Sequence, residues 1–291
     1  MLQRKLKQLL FFILFFLSTS ATVLIFYFLF FYFPLKNNQE IFPAVENSEI
    51  FIKEDIPEDM QKMYGITYED ARKEKMVYFI DGREKEEYDI FRFKNATHLR
   101  APDISSVKNM MDALNTTSEE FNNSLIVIYC HDGRRSLETV SKINLPNVKF
   151  LIGGRKNFLT ADPSSVEGDS EKSPFPNHIK DYDFTITLSK FKNIISNDYF
   201  LVNGRINNDD NLFPDVYQFR IGYLTTKEYN EKIKDFIGQK NKNIVIIANS
   251  YPDLFYAKLL IYRLEMDYGF DYKKFNIVFG QDKNISKIIN E

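Results

Sequence analysis

The chain has 291 residues and a mass of 34.4 kDa, enough for two domains of roughly 100–130 residues and a targeting segment. Hydrophobic residues make up 44% and charged residues 27%, which excludes a disordered or fibrous protein. The formal net charge of −2 argues against a nucleic-acid-binding protein, whose domain would be basic. A single cysteine, Cys130, and three histidines argue against a disulfide framework and a metal centre. We therefore expect no metal and no cofactor, and any thiol chemistry must use Cys130.

The first 36 residues differ from the rest of the chain. Leu9 to Phe33 is a run of 25 residues without a charged side chain. As a helix it would span about 37 Å, more than the hydrocarbon core of about 30 Å. Basic residues at positions 4, 5 and 7 precede the run and acidic residues follow it, so the positive-inside rule predicts a cytoplasmic N-terminus. The sequence thus predicts a single-pass membrane protein that contacts the bilayer through residues 9–33.

A cleaved signal peptide is the competing interpretation, because small residues lie around Ser18, Ser20 and Ala21. Cleavage there would leave the apolar stretch 23–33 as the N-terminus of a soluble protein, so we favour an uncleaved anchor. Residues 1–36 hold four basic and no acidic side chains, which leaves the rest of the chain with a formal charge of −6. We expect that part to lie outside the cytoplasm, in the periplasm if the source is Gram-negative.

Two stretches of the remaining chain share four landmarks in the same order. In the first stretch they are Ile66-Thr67, the apolar run 77–80 with Asp81-Gly82-Arg83, the run 125–129 with Cys130, and the run 148–152 with Gly153. In the second they are Ile186-Thr187, the run 199–202 with Asn203-Gly204-Arg205, the run 244–247 with Ala248, and the run 275–279 with Gly280. This recurrence predicts an internal duplication.

The apolar runs predict strands buried on both faces of a parallel sheet, because they are short and rich in β-branched and aromatic residues. Helical patterns lie between them, at 107–114, 137–143, 227–237 and 253–267. Alternating strands and helices predict the α/β class for each copy. The predicted organisation is an anchor (1–36), a juxtamembrane segment (37–63), a first domain (64–160), a linker (161–182) and a second domain (183–291).

The chemistry is expected in the segment 130–136, Cys130-His131-Asp132-Gly133-Arg134-Arg135-Ser136, between a buried strand and a helix that begins near Leu137. The first N–H groups of a helix are unpaired and carry partial positive charge, so a loop there can stabilise a thiolate. Gly133 allows a turn with positive φ, and Arg134 and Arg135 add positive charge that attracts anions. This segment is the candidate active-site loop.

The segment resembles the active loop of the rhodanese family, Cys-x-x-Gly-x-Arg, through Cys130, Gly133 and Arg135. Other family elements are matched in order by 81–88 (Asp-Gly-Arg-Glu-Lys-Glu-Glu-Tyr), 94–99 (Lys-Asn-Ala-Thr-His-Leu) and Gly153-Gly154. The resemblance covers about residues 64–160 and is weaker over 184–290. It implies two tandem rhodanese-like domains, of which only the first carries the cysteine.

The resemblance implies a sulfurtransferase. Cys130 would take sulfane sulfur from a small anionic donor such as thiosulfate, form a persulfide, and pass the sulfur to an acceptor thiol or protein. His131, Asp132, Gly133, Arg134, Arg135 and Ser136 would bind the substrate, and Asp81 and Arg83 would support the loop from beneath. In the second copy Ala248 replaces the cysteine, so that domain is expected to be catalytically silent.

Two other functions compete with sulfur transfer. The silent second copy is also compatible with a non-catalytic binding or scaffold module at the membrane surface. A phosphatase or arsenate reductase using Cys130 is disfavoured, because tyrosine-phosphatase-type sites need an arginine six positions after the cysteine, where this chain has Ser136.

Overall fold

The computed structural model describes residues 56–156, 162–169, 171–195, 199–205, 213 and 215–290. The predicted membrane segment 9–33 and residues 37–55 of the predicted juxtamembrane segment lie outside these ranges. Within them, none of the helices has both the length and the apolar character that a bilayer crossing requires.

The described helices and strands alternate as predicted. The α-helices are α1 (Glu58–Tyr64), α2 (Tyr68–Ala71), α3 (Lys85–Ile90), α4 (Val107–Leu114), α5 (Ser118–Asn122), α6 (Arg134–Ile143), α7 (Asn177–Lys180), α8 (Leu188–Ile194), α9 (Thr226–Ile237), α10 (Tyr251–Tyr268) and α11 (Asp282–Asn290). The strands are β1 (Gly65–Ile66), β2 (Val77–Asp81), β3 (Phe91–Phe93), β4 (Thr97–His98), β5 (Leu125–Tyr129), β6 (Val148–Leu151), β7 (Val166–Gly168), β8 (Thr185–Ile186), β9 (Tyr199–Asn203), β10 (Tyr217–Gln218), β11 (Asn243–Ala248) and β12 (Phe275–Phe279).

The described part of the chain is organised by two five-stranded parallel sheets. The first has the order β1-β6-β5-β2-β4, and the second, read from the corresponding edge, has the order β8-β12-β11-β9-β10. The two orders are the same when strands are matched by their place in the first and second halves of the chain. The central strand is β5 in the first sheet and β11 in the second, and each is followed by a loop and a long helix.

The core lies on both faces of each sheet, as the unbroken apolar runs predict. In β5 the side chains of Ile126 and Ile128 pack with α4, α5 and α6 on one face. Val127 and Tyr129 pack with α2 and β3 on the other, as the two-residue period of a strand requires. Both faces of the first sheet are therefore covered, and only its ends are free for a site.

The helix after Cys130 begins earlier than predicted. We expected its start near Leu137, but α6 starts at Arg134 with Gly133 as its N-cap at φ 98°. This left-handed conformation is easy for glycine and turns the chain directly into the helix. Arg134 and Arg135 are therefore in the first helical turn.

The segment 161–182 is not an aperiodic linker throughout. It contains β7, which pairs antiparallel with β3, and the helix α7. A polar composition does not exclude a two-stranded ribbon, because the backbone can pair whatever the polarity of the side chains.

Candidate functional site

Cys130 lies directly after the central strand of the first sheet, at the carboxyl edge where open α/β sheets bind ligands. Its side chain is buried. The backbone N–H of Gly133 donates to Sγ over 3.2 Å. We expected several backbone amides at the sulfur, but in the described part of the chain Gly133 alone donates to it, because the amide of Arg134 donates to Asp132 Oδ1.

The backbone of the loop is held from behind by the segment after β6. The N–H of Arg155 donates to the Cys130 carbonyl over 2.9 Å. A Cβ on Gly154, which has φ 56°, would lie 2.6 Å from that same carbonyl oxygen and 2.7 Å from the backbone nitrogen of Asp132. The Gly153-Gly154 landmark thus lets two backbones approach so closely that a side chain at 154 would displace the loop.

The two arginines of the loop have different surroundings. Arg134 is 36% exposed in its side chain and is paired with Asp132, to which Nε donates over 2.8 Å and Nη2 over 2.5 Å. Because Asp132 neutralises it, Arg134 adds little net positive charge to the site. The Arg134 and Asp132 side chains thus form a local pair beside the sulfur.

The Arg135 side chain is buried and lacks a partner at hydrogen-bond distance for Nη1 among the described residues. Its ion pairs with Glu84 and Glu87 are long, 3.7 and 3.8 Å, and its Cζ lies 5.2 Å from the centroid of the Tyr256 ring. Burial alone would lower the pKa of Arg135, but interactions with Tyr256, Cys130 and the two glutamates hold it well above its usual value. Arg135 is therefore a fixed cation whose donors are not saturated.

Asp81 and Arg83 form the ion pair expected beneath the loop, and both side chains are fully buried. Arg83 Nε donates to Asp81 Oδ1 over 2.9 Å, Nη2 donates to Oδ2 over 2.6 Å, and the Tyr129 hydroxyl donates to Oδ2 over 2.8 Å. These contacts tie the end of β2 to the end of β5, one residue before Cys130. The pair thus supports the strand end that precedes the loop.

The positions of His131 and Ser136 do not by themselves indicate a role in substrate binding. The Ser136 hydroxyl is buried, and none of the described residues forms a hydrogen bond with it. His131 is partly buried, and burial first, then the charge of Arg155, lower its pKa to about 4. Its ring is therefore neutral at pH 7 and adds no positive charge to the loop.

The lowered pKa of His131 predicts a pH dependence of stability. The unfolded chain binds a proton at His131 below about pH 6.5, whereas the folded chain resists protonation down to about pH 4, so this group makes the free energy of unfolding fall as pH falls through that window. Replacement of His131 by glutamine should remove this part of the slope. Denaturant unfolding of both proteins at pH 7.5, 5.5 and 4.5 measures it, and parallel curves would contradict the assignment.

A cavity of about 250 Å³ lies where the second half of the described chain meets the loop helix. From the first half it is lined by Ala101, Pro102, Ile104, Arg135, Glu138, Thr139 and Lys142, and from the second by Gly222, Tyr223, Thr225 and Glu228. Burial raises the pKa of Tyr223 to about 12, although the positive charge of Arg135 acts in the opposite direction. Tyr223 is therefore an uncharged phenol beside the loop.

At the corresponding edge of the second sheet, a carboxylate of the chain itself lies where the first sheet has its candidate site. The strand pairing aligns Tyr129 with Ile247, so Ala248 occupies the position of Cys130. The loop is one residue shorter, since Ser250 caps α10 by accepting from the N–H of Asp253, and Asp253 in turn accepts from the N–H of Asn249 over 3.0 Å. Asp253 is buried, so a carboxylate already occupies this helix N-terminus.

Comparison with known proteins agrees with this geometry in the first half of the chain. Residues 67–161 match the family described as Rhodanese-like domain. The chain therefore contains a Rhodanese-like domain, and the expected family resemblance over 64–160 is confirmed. A search of curated proteins gave no match.

Several solved structures are similar at low identity. Thiosulfate sulfurtransferase from Pseudomonas aeruginosa is 12% identical with a TM-score of 0.32, over 77% of this chain and 44% of that one. The 3-mercaptopyruvate sulfotransferase from Escherichia coli is 10% identical with a TM-score of 0.29, over 74% and 97%. A Bacillus halodurans protein is 19% identical with a TM-score of 0.30, over 41% and 89%. The fold assignment rests on the strand order and the family match.

Several residues next to the site were not predicted from the sequence, among them Glu84, Arg100, Tyr256 and Arg263. Glu84 lies inside the 81–88 element, next to the predicted residues Asp81 and Arg83. Tyr256 and Arg263 are seven positions apart on α10, which places them on one face of that helix. The sequence shows this spacing but does not show which part of the fold this face of α10 contacts.

Proposed function

We propose that this protein is a sulfurtransferase in which Cys130 carries sulfur as a persulfide. The thiolate attacks the outer sulfur of an anionic donor such as thiosulfate, the S–S bond of the donor breaks, and sulfite leaves with the electron pair. An acceptor thiolate or other nucleophile then attacks the outer sulfur of the persulfide and releases the Cys130 thiolate. No oxidant or reductant is consumed beyond the donor and the acceptor.

The observation that carries this proposal is the position of Cys130 between the central strand and the N-terminus of α6, with the Gly133 amide on its sulfur and with the buried Arg135 in electrostatic interaction with it. The amide stabilises negative charge on sulfur, and the unsaturated guanidinium supplies a binding charge for an anion. Arg134 is assigned a smaller part because Asp132 neutralises it.

The predicted membrane anchor and the second half of the chain also have roles in this proposed function. Residues 9–33 anchor the protein in a bilayer, and the part from residue 56 onward works outside the cytoplasm. The second half is a degenerate rhodanese-like domain. Its Asp253 takes the anion-binding place at the helix N-terminus, which supports a silent second site.

One observation favours the alternative of a non-catalytic binding module. The Cys130 side chain has no exposed surface, so a donor reaches it only if the surrounding side chains move. A module that binds a partner at the membrane surface has no need of such access.

The experiment that separates these functions is the intact mass of the full-length protein after incubation with thiosulfate, wild type beside Cys130→Ser. Because the chain has one cysteine, sulfur transfer predicts a gain of about 32 Da on the wild type alone. The serine variant should stay unchanged because it lacks the thiolate. An unmodified wild type with both thiosulfate and a mercaptopyruvate donor would favour the binding module.

A further inference from the structure

The aromatic ring of Tyr256, on α10 in the second half, lies near the guanidinium of Arg135. Cζ of Arg135 lies 5.2 Å from the centroid of this ring, within the distance at which a ring face attracts a cation. Both side chains are buried, with 7% of Arg135 and 5% of Tyr256 exposed. Because little water reaches the pair, the attraction is stronger than it would be at the surface.

The ring holds the guanidinium in a different way from a carboxylate. Burial raises the pKa of Tyr256 well above its usual value, so its phenol is uncharged. An uncharged ring attracts a cation without cancelling its charge, and it has no carboxylate oxygen to take the N–H donors. Arg134 shows the alternative, because Asp132 takes both its charge and its donors.

The two carboxylates near Arg135 do not fix its orientation. Glu84 lies 3.7 Å from Nη1 and Glu87 lies 3.8 Å from Nη2, both beyond hydrogen-bond distance. Across the part of the chain that the structure describes, Nη1 has no hydrogen-bond partner. The ring of Tyr256 is therefore a contact that can orient the guanidinium while its hydrogen bonds stay unused.

The place of the ring depends on a glycine of the same half. Gly222 lies between β10 and α9, in a short 3₁₀ turn (Ile221–Tyr223). A Cβ at this position would lie 2.7 Å from Cζ and 2.8 Å from Cε1 of Tyr256, which is too close for any side chain. Because the ring is buried, it can make room only by moving into its packed neighbours. Gly222 thus allows the ring to lie where it meets Arg135.

We propose that Tyr256 is a positioning residue: its ring orients the guanidinium of Arg135 before an anion arrives at Cys130, and leaves the charge and donors of Arg135 available. A side chain that is already ordered loses no further freedom when the anion binds, which is worth about two- to tenfold in affinity for one arginine. The silent second half of the chain thus contributes to the anion site of the first.

The proposal rests on the proposed function for the identity of the anion, but its test requires no turnover. The full-length protein is alkylated with iodoacetate, an anion, and with iodoacetamide, its neutral counterpart, and is then weighed. The ratio of the two rates, divided by the same ratio for a small free thiol, reports the attraction of an anion to the sulfur. Cysteine adducts lie on Cys130 because the chain has no other cysteine, and Cys130→Ser gives the background.

We expect this ratio to fall about fivefold in Tyr256→Leu, because Arg135 must then be ordered as the anion binds. Tyr256→Phe keeps the ring face and should keep the wild-type ratio. The three proteins carry the same net charge, so an effect of net charge alone would leave their ratios equal. Gly222→Ala keeps the tyrosine but displaces its ring, so it should also lower the ratio. This variant tests the proposal even if Tyr256→Leu does not fold.

Tyr229 provides a matched control for lost packing. It is buried in the same core cluster as Tyr256, and its ring centroid lies 5.4 Å from Cζ of a different arginine, Arg263. Tyr229→Leu removes a ring of the same size and should leave the ratio at the wild-type value. In the Arg135→Gln background, Tyr256→Leu should lower the ratio no further, because the ring acts through Arg135.

Three patterns would overturn the proposal: a wild-type ratio no higher than that of Arg135→Gln, equal falls in Tyr256→Leu and Tyr229→Leu, or a full further fall when Tyr256→Leu is added to Arg135→Gln. A folded wild type whose Cys130 reacts with neither reagent would also overturn it, since no anion then reaches the sulfur.

The failure of this proposal and the failure of the proposed function are distinguishable. If the ratios are as expected but the wild type takes no sulfur from thiosulfate or mercaptopyruvate, the sulfurtransferase function fails and the role of Tyr256 stands. If sulfur transfer occurs and kcat/KM for thiosulfate is the same in Tyr256→Leu as in the wild type, the role of Tyr256 fails alone.

Discussion

Replacement of Arg135 by glutamine is expected to lower kcat/KM for thiosulfate by about 10²-fold, while Arg134→Gln stays within about threefold of the wild type. The two residues are neighbours in sequence with the same charge, so they form a matched pair. Arg134 is neutralised by its contacts to Asp132 and is partly exposed, whereas Arg135 is buried and its Nη1 has no hydrogen-bond partner among the described residues. Only Arg135 can therefore present a full positive charge to a dianionic donor at a site that excludes water.

Steady-state kinetics with thiosulfate and cyanide measure both variants. Arg135→Lys should recover part of the activity, because the charge returns without the planar fork of donors. The thermal midpoint of each variant serves as the control for folding. Equal effects of the two glutamine substitutions would show that the hydrogen bonds of Asp132 do not neutralise Arg134 as described.

Replacement of Arg83 by methionine is expected to destabilise the fold by about 3–5 kcal/mol, because it leaves the fully buried Asp81 carboxylate without its cation. Arg205 in the second half provides a comparison, because its partner at the position of Asp81 is the neutral Asn203. Arg205 also pairs with Asp282, which is partly exposed and can be solvated. Arg205→Met should therefore cost only about 1–2 kcal/mol.

Denaturant unfolding followed by circular dichroism measures both changes. Asp81→Asn combined with Arg83→Met should recover part of the loss, since no unpaired carboxylate is then buried at position 81. If Arg205→Met were as damaging as Arg83→Met, the cost would lie in lost packing of a long side chain and not in the stranded carboxylate.

The parts of the structure that follow from local patterns were predictable from the sequence. Apolar runs gave the central strands, Val107–Leu114 was placed within its observed bounds, and Gly269 ends α10 in the left-handed conformation expected of a C-cap. The loop was found because a glycine and two arginines follow a cysteine at the end of a buried run. These signals lie within a few residues of one another.

What the sequence did not give depends on contacts between distant segments. The sequence singles out Arg135 over Arg134 only by its match to the family loop. The difference in charge that each arginine presents arises from the partner that it meets in the fold. The contact of Arg263 with Glu84 joins residues 179 positions apart, and no periodicity encodes such a pairing. The start of α6 was misplaced because the conformation of Gly133, and not apolar spacing, determines it.

The shortened loop of the second half also limits what a single substitution could introduce there. A cysteine placed at position 248 would face a helix end already taken by Asp253, and the backbone would still lack one residue of the Cys130 loop. A comparable thiol site would need both an inserted residue and removal of that carboxylate. Substitution of Ala248 by cysteine alone would therefore not reproduce the surroundings of Cys130.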